Sequence, residues 1–148
     1  MKFGKWLRKL VEGESPRTLY VRRDVVNHES LRSWYGQQGL ELDGGLHVTI
    51  AFSRNPILWS LVAPNEQPLL ALSTARMERF GGDEGALVLL LESRMLENEW
   101  QIFKTAGASW DYPSYRPHVT LTYNKASKNL IPFTGILHLG PQIYDVVT

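Results

Sequence analysis

The chain contains no cysteine. Disulfides, thiolate nucleophiles and cysteine-ligated zinc are excluded together, and the composition fits a reducing cytoplasm. An excess of one charge is also missing: sixteen basic residues stand against fifteen acidic ones, for a formal net charge of +1. Proteins that track a long phosphate backbone carry a strong basic excess, so a nucleic-acid polymer is not the expected partner. A small anion needs only a local pocket of donors. No apolar run reaches the roughly 18 residues of a membrane span, so no membrane partner is expected. The opening MKFGKWLRKLVEG has neither the apolar core nor the cleavage site of a secretory signal. It predicts instead a basic amphipathic helix over residues 1–12, because Phe3, Trp6, Leu7 and Leu10 recur at helical spacing among lysines and an arginine. Such a helix would pack on its own domain or on another subunit, which leaves a homo-oligomer open.

What remains is an ordinary globular composition of 148 residues with 43% apolar content, read as one domain over residues 1–148. TLYVRRDVV (18–26) reads as a strand. Asn27 would cap a helix over HESLRSWYGQQ that stops before Gly39. LHVTIAFS (46–53) is a strand stopped by RNP. LLALSTARMERF (69–80) is extended up to GGDEG, and ALVLLLES (86–93) is a central strand buried on both faces. A helix over 94–107 would bury Met95, Leu96, Trp100 and Phe103. HVTLTYN is a strand, and LIPFTGILHLG and QIYDVVT hold two more. The expected order is β-α-β-loop-β-β-α-β-β-β.

Two stretches repeat. LHVTIAFSR and PHVTLTYNK align as His/His, Val/Val, Thr/Thr, Ile/Leu, Phe/Tyr and Arg/Lys, as an internal duplication about a pseudo-twofold axis would leave them. Side chains alternate along a strand. One face of the first copy would hold His47, Thr49, Ala51 and Ser53, against Val48, Ile50 and Phe52 on the other. In the second copy His118, Thr120, Thr122 and Asn124 would oppose Val119, Leu121 and Tyr123. Two imidazoles facing across a cleft suit general acid–base chemistry near neutral pH, and two hydroxyls beside them can donate to the non-bridging oxygens of a phosphodiester. A lone histidine is more often structural, but a repeated triplet in matching strands is hard to explain that way. A metal site is disfavoured, because each strand offers one ligand and no carboxylate cluster lies near.

At these residues the chain resembles the 2H phosphoesterase superfamily, whose signature is a pair of His-x-[Thr/Ser] motifs. LYVRRDVVN, LHVTIAFSRNPILW, ALVLLLES, YRPHVTLTY and GILHLGP are further similar to the phage anti-CBASS phosphodiesterases. The resemblance implies an α+β, two-lobed, pseudo-symmetric fold, with small, mostly antiparallel sheets lining a groove and helices outside. It implies metal-independent, cofactor-free cleavage of a 3′,5′ linkage in cyclic di- or trinucleotides such as 3′,3′-cGAMP, in the cytoplasm of an infected bacterium. The ribose 2′-hydroxyl would be the nucleophile. By that resemblance His47, Thr49, His118 and Thr120 are catalytic and Tyr20 holds a base. Arg22 shares the Tyr20 face by alternation and would pair with the uncleaved phosphate, while Tyr20→Phe would be nearly silent if only the ring matters. Gln142 stands where the family tends to have a carboxylate, and Tyr144 is the nearest aromatic; both are expected at the base. The alternatives are a phosphodiesterase for 2′,3′-cyclic phosphate RNA ends and a non-catalytic sponge for cyclic nucleotides.

Overall fold

The computed structural model describes residues 14–82, 84–125 and 129–148; the helix expected over 1–12 lies outside them. The elements run β1 (Arg17–Val25), α1 (His28–Gly36), β2 (His47–Ile57), a 3-10 turn (Trp59–Leu61), β3 (Leu69–Phe80), β4 (Ala86–Glu92), α2 (Arg94–Thr105), β5 (His118–Thr122) and β6 (Ile136–Asp145). All strand pairs are antiparallel, and the sheet closes on itself in the order β1-β2-β5-β4-β3-β6. The α+β class expected from the sequence is therefore present, but the six strands form one closed sheet rather than separate small ones. Read around the closure, the order β6-β1-β2-β5-β4-β3 sets the unit β1-α1-β2 beside the like unit β4-α2-β5.

The interior follows strand alternation. Leu19, Val21 and Val25 of β1 point inward with Val48, Ile50, Leu87, Leu89, Leu91, Val119, Leu121, Leu137 and Leu139, and all are buried. Arg23 is the exception, a cation with no exposed surface. Its guanidinium meets both carboxylate oxygens of Glu99 on α2, at 2.9 and 2.6 Å, and donates to the carbonyls of Gln67 and Gly140. A buried charge is tolerated only when paired and hydrogen-bonded, and this pair fastens α2 to the wall. Glu99 thus takes an inward place on α2 with Leu96 and Phe103, whereas Met95, expected inside, is exposed. Ser93 caps α2, its hydroxyl accepting from the Leu96 amide. Asn27 does not cap α1. Its amide instead donates to the Ile136 carbonyl and accepts from the His138 amide, tying the helix entrance to β6.

Two expected strand ends are absent. RNP does not stop β2: between Arg17↔Ile57 and Leu19↔Ser53 the register slips, and Arg54, Asn55 and Pro56 bow outward, exposed. GILHLG and QIYD are one strand through Pro141, which is exposed and lies beyond the last β3 partner, Leu139. Proline lacks the amide that a ladder needs, so it is tolerated where pairing lapses.

Candidate active site

β2 and β5 meet at a single residue pair, Val48↔Val119, the middle of each His-Val-Thr triplet. Antiparallel pairing at that point sets His47 across from Thr120 and Thr49 across from His118, while both valines go to the core. The four polar side chains thus share the outer face of the closed sheet, each half-buried.

Just past each triplet the alternation breaks. On β1 the partners step from Arg22↔Thr49 to Val21↔Ala51, so Ile50 is one residue too many; on β4 they step from Val88↔Thr120 to Leu87↔Thr122, so Leu121 is the extra one. A bulge re-aims every side chain beyond it. Ala51, Ser53 and Thr122, expected beside the histidines, are buried inside instead. Phe52 and Tyr123, expected in the core, turn outward: the Phe52 ring lies 5.5 Å from that of Tyr20, and Tyr123 is exposed. Groups near both bulges find partners elsewhere. The buried Tyr115 hydroxyl donates to the Thr49 carbonyl at 2.8 Å, the Asp43 amide donates to the Leu121 carbonyl at 3.0 Å, and the Asp43 carboxylate accepts from the Tyr123 amide at 3.3 Å. Tyr115 comes from the aromatic loop before β5 and stacks on Trp100 of α2.

The two imidazoles are held alike. Nδ1 of His47 lies 2.7 Å from the carbonyl of Gly45, and Nδ1 of His118 lies 2.7 Å from that of Arg116, in each case two residues upstream. A carbonyl only accepts, so both Nδ1 atoms carry the proton and both Nε2 edges are left for other work. Their surroundings then diverge. The Tyr20 hydroxyl sits 2.9 Å from Nε2 of His47, and burial raises the pKa of this phenol, with the Thr49 side chain pulling it back. His118 instead has the Phe80 ring edge-on at 4.6 Å and Leu90 across the ladder. Burial pushes its pKa below the usual value. The Arg116 carbonyl opposes that shift, and charge on His47 and Arg116 adds to it.

Tyr20 and Arg22 share the outer face as alternation predicts, the guanidinium carbon 5.9 Å from the ring centre. Arg22 is already engaged, by Asp24 at 3.2 Å and Asp145 at 2.9 Å. Gln142 and Tyr144 are not brought to the site. They pair with Arg23 and Val21 and so point inward. The Gln142 carbonyl oxygen accepts from the Asn65 amide, and Tyr144 packs between Trp59 and Phe103. The residues of β6 that do face Tyr20 and Arg22 are Asp145 and Ile143. Sequence reading missed Asp145, Phe80 and Arg116; period-2 counting along β6 from the buried Leu137 and Leu139 would put Asp145 inside, because the register against β1 slips between Leu139 and Gln142.

Fold and site together define a small α+β barrel with a paired His-x-Thr site on the outside of its closed sheet. The model of the anti-CBASS protein Acb1 family matches residues 17–145, and the chain belongs to that family. Among its relatives, an anti-CBASS protein Acb1 from Caulobacter sp. (strain RHG1) is 36% identical over 152 residues, covering 95% of this chain and 24% of the relative. One from Sphingomonas paeninsulae is 32% identical, covering 97% of this chain and 25% of the relative. One from Acinetobacter phage Ac42 is 40% identical over 92 residues, 62% of this chain and 59% of the phage protein. The chain thus spans only about a quarter of the two bacterial relatives.

Proposed function

We propose that this chain cleaves a 3′,5′ phosphodiester linkage of cyclic di- and trinucleotides, 3′,3′-cGAMP among them, and so counters CBASS defence inside an infected bacterium. The observation that carries this reading is the pair of Nε2 edges on one face, each oriented by an Nδ1–carbonyl bond and each across from a threonine. The order of β1-α1-β2 beside β4-α2-β5 supports a two-lobed 2H phosphoesterase arrangement, with the groove along the β2–β5 seam.

His118 takes the role of base. It is desolvated, its pKa is lowered, and among the described residues no protein group hydrogen-bonds its Nε2. It accepts the proton of a ribose 2′-hydroxyl, O2′ forms a bond to phosphorus, and the P–O5′ bond breaks. His47, steadied by Tyr20, gives its Nε2 proton to the leaving O5′. The Thr49 and Thr120 hydroxyls donate to the non-bridging oxygens, where charge builds up. Water then opens the 2′,3′-cyclic phosphate with the two histidines exchanging roles. The reading invokes no cofactor, and among the described residues no three His, Asp or Glu side chains gather as a metal site would require.

The test is a panel followed by chromatography: cyclic dinucleotides, a cyclic trinucleotide, a 2′,3′-cyclic mononucleotide and a 2′-deoxy cyclic dinucleotide, with and without chelator. Cleavage of the ribose cyclic compounds in chelator, with the deoxy compound intact, is expected. Cleavage of the 2′,3′-cyclic compound alone would favour an RNA-end enzyme, and tight binding without turnover a sponge. His47→Ala and His118→Ala should each lose about 10²–10⁴ in turnover. A substrate with sulfur at the bridging 5′ position needs little protonation on departure, so it should restore His47→Ala and not His118→Ala. The reverse rescue would exchange the two roles.

A further inference from the structure

β3 brings an aromatic ring to the outer face on the His118 side. Phe80 lies edge-on to His118 at 4.6 Å, as Tyr20 lies edge-on to His47 at 6.3 Å. Each ring has an arginine, Arg22 at 5.9 Å from Tyr20 and Arg116 at 5.1 Å from Phe80. The two rings arrive by different routes. Matching the bulged ladders to each other makes Ala86 of β4 the counterpart of Tyr20, and Phe80 is the partner of Ala86 from the next strand. Where β4 offers only a methyl group, β3 supplies the ring. Beside it the outer face of β4 is Val88 and Leu90, both buried, so the His118 side is floored with apolar surface.

The charges on the two sides differ. Beside Tyr20 one guanidinium is shared by two carboxylates, Asp24 and Asp145. Beside Phe80 one carboxylate, Glu78, is shared by two guanidinia, Arg116 at 2.8 Å and Arg76 at 3.5 Å. The first cluster is net negative and the second net positive. An anion that binds near the histidines without being cleaved is drawn to Arg116 and repelled from the Arg22 cluster.

We propose that Phe80 and Arg116 form a second nucleotide subsite, in which Phe80 stacks one nucleobase of the cyclic substrate and Arg116 pairs with the phosphate that is not cleaved. A cyclic dinucleotide repeats its base and phosphate about its own twofold, and a ring with an arginine on each side of the paired histidines repeats in the same way. The subsite deepens the function proposed above and rests on it for the class of ligand.

The test separates the two by reading binding for one and cleavage for the other. A 2′-deoxy cyclic dinucleotide is titrated by calorimetry into the wild-type chain and into Phe80→Leu, Phe80→Tyr and Arg116→Gln, with melting temperature measured on each sample. Phe80→Leu should weaken binding about ten- to hundred-fold and Phe80→Tyr should restore it, since stacking needs a ring. Arg116→Gln should weaken binding about tenfold and flatten its dependence on salt. Unchanged affinity in Phe80→Leu and Arg116→Gln, whatever their melting temperatures, overturns the subsite. Should Phe80→Leu not fold, the exposed Arg116→Gln decides alone. Wild-type chain that binds the deoxy compound and leaves the ribose compound intact overturns the enzyme and keeps the subsite; no binding of either overturns both.

Discussion

Removing one oxygen atom, in Tyr20→Phe, separates two accounts of this site. If Tyr20 serves only as a ring under a base, the change is silent. The hydroxyl, however, is 2.9 Å from Nε2 of His47, the atom assigned to the leaving oxygen. A neutral hydrogen bond contributes about 0.5–1.5 kcal/mol net, and one to a charged partner about 1.5–3 kcal/mol. At about 1.4 kcal/mol per factor of ten, loss of the phenol should lower turnover between about twofold and about 140-fold, depending on the charge on the imidazole when the bond matters most. The ring stays in its contacts with Phe52 and His47, so affinity for an uncleavable analogue should change less than threefold and melting temperature little. Tyr20→Ala should lose the same turnover and also about ten- to hundred-fold in affinity, through the missing stack. The measurements are steady-state cleavage of a cyclic dinucleotide, calorimetric binding of its 2′-deoxy form and thermal melting, all on the same preparations. Wild-type turnover in Tyr20→Phe would refute the orienting role of the phenol. A fall in affinity matching the fall in turnover would make the hydroxyl a ligand contact instead.

Three further outcomes are expected. Thr49→Val and Thr120→Val keep shape and delete a donor to a charged oxygen, so each should cost about 1.5–3 kcal/mol in kcat/KM; wild-type kinetics would take that hydroxyl out of the site. Glu99→Gln leaves the guanidinium of Arg23 buried without a counter-charge and should destabilise the fold by about 3–5 kcal/mol in a denaturant titration, with a shift under 1 kcal/mol counting against the pair as a fastening. His118 has a folded pKa below its unfolded one, so as pH falls through about 6.5 the unfolded chain takes up a proton that the folded chain resists; stability should fall across that window and level off below the folded pKa. His118→Gln should remove that component of the melting-temperature profile, and the acid limb of kcat/KM in the wild type should lie below pH 6.5.

Strand positions and the shared face of His47, Thr49, His118 and Thr120 were legible because period-2 alternation holds across both triplets. It fails one residue later. Ile50 and Leu121 are ordinary strand residues, and nothing in their chemistry announces that each is an inserted residue; beside them the Thr49 and Leu121 carbonyls accept from Tyr115 and Asp43, off the ladder. Assignments counted past those points within the strands, Ala51, Phe52, Ser53 and Thr122 among them, therefore landed on the wrong face. Gln142 and Tyr144 were misplaced for another reason. They were named from the resemblance after Gly140–Pro141, and β6 runs through that dipeptide with a slip in register between Leu139 and Gln142, which turns both side chains into the core opposite Arg23 and Val21. Phe80 was hidden because it reaches His118 from β3, across β4 and far off in sequence.

The seam between β2 and β5 holds by the pairing of Val48 with Val119, whereas β1 pairs along β2 from Arg17 to Asp24 and β3 along β4 from Leu72 to Phe80. Opening a stretch of sheet costs in proportion to what is undone, so this is where the wall parts with least effort. The two histidines sit on either lip of that seam, each tethered to its own lip by its Nδ1 bond. A small hinge about the valine pair would change the gap between the two Nε2 atoms and leave each imidazole's orientation intact. A cyclic nucleotide held by both imidazoles would clasp the two lips together, so amide exchange at Val48 and Val119 should slow when it is bound; unchanged exchange would mean that the ligand does not bridge the seam.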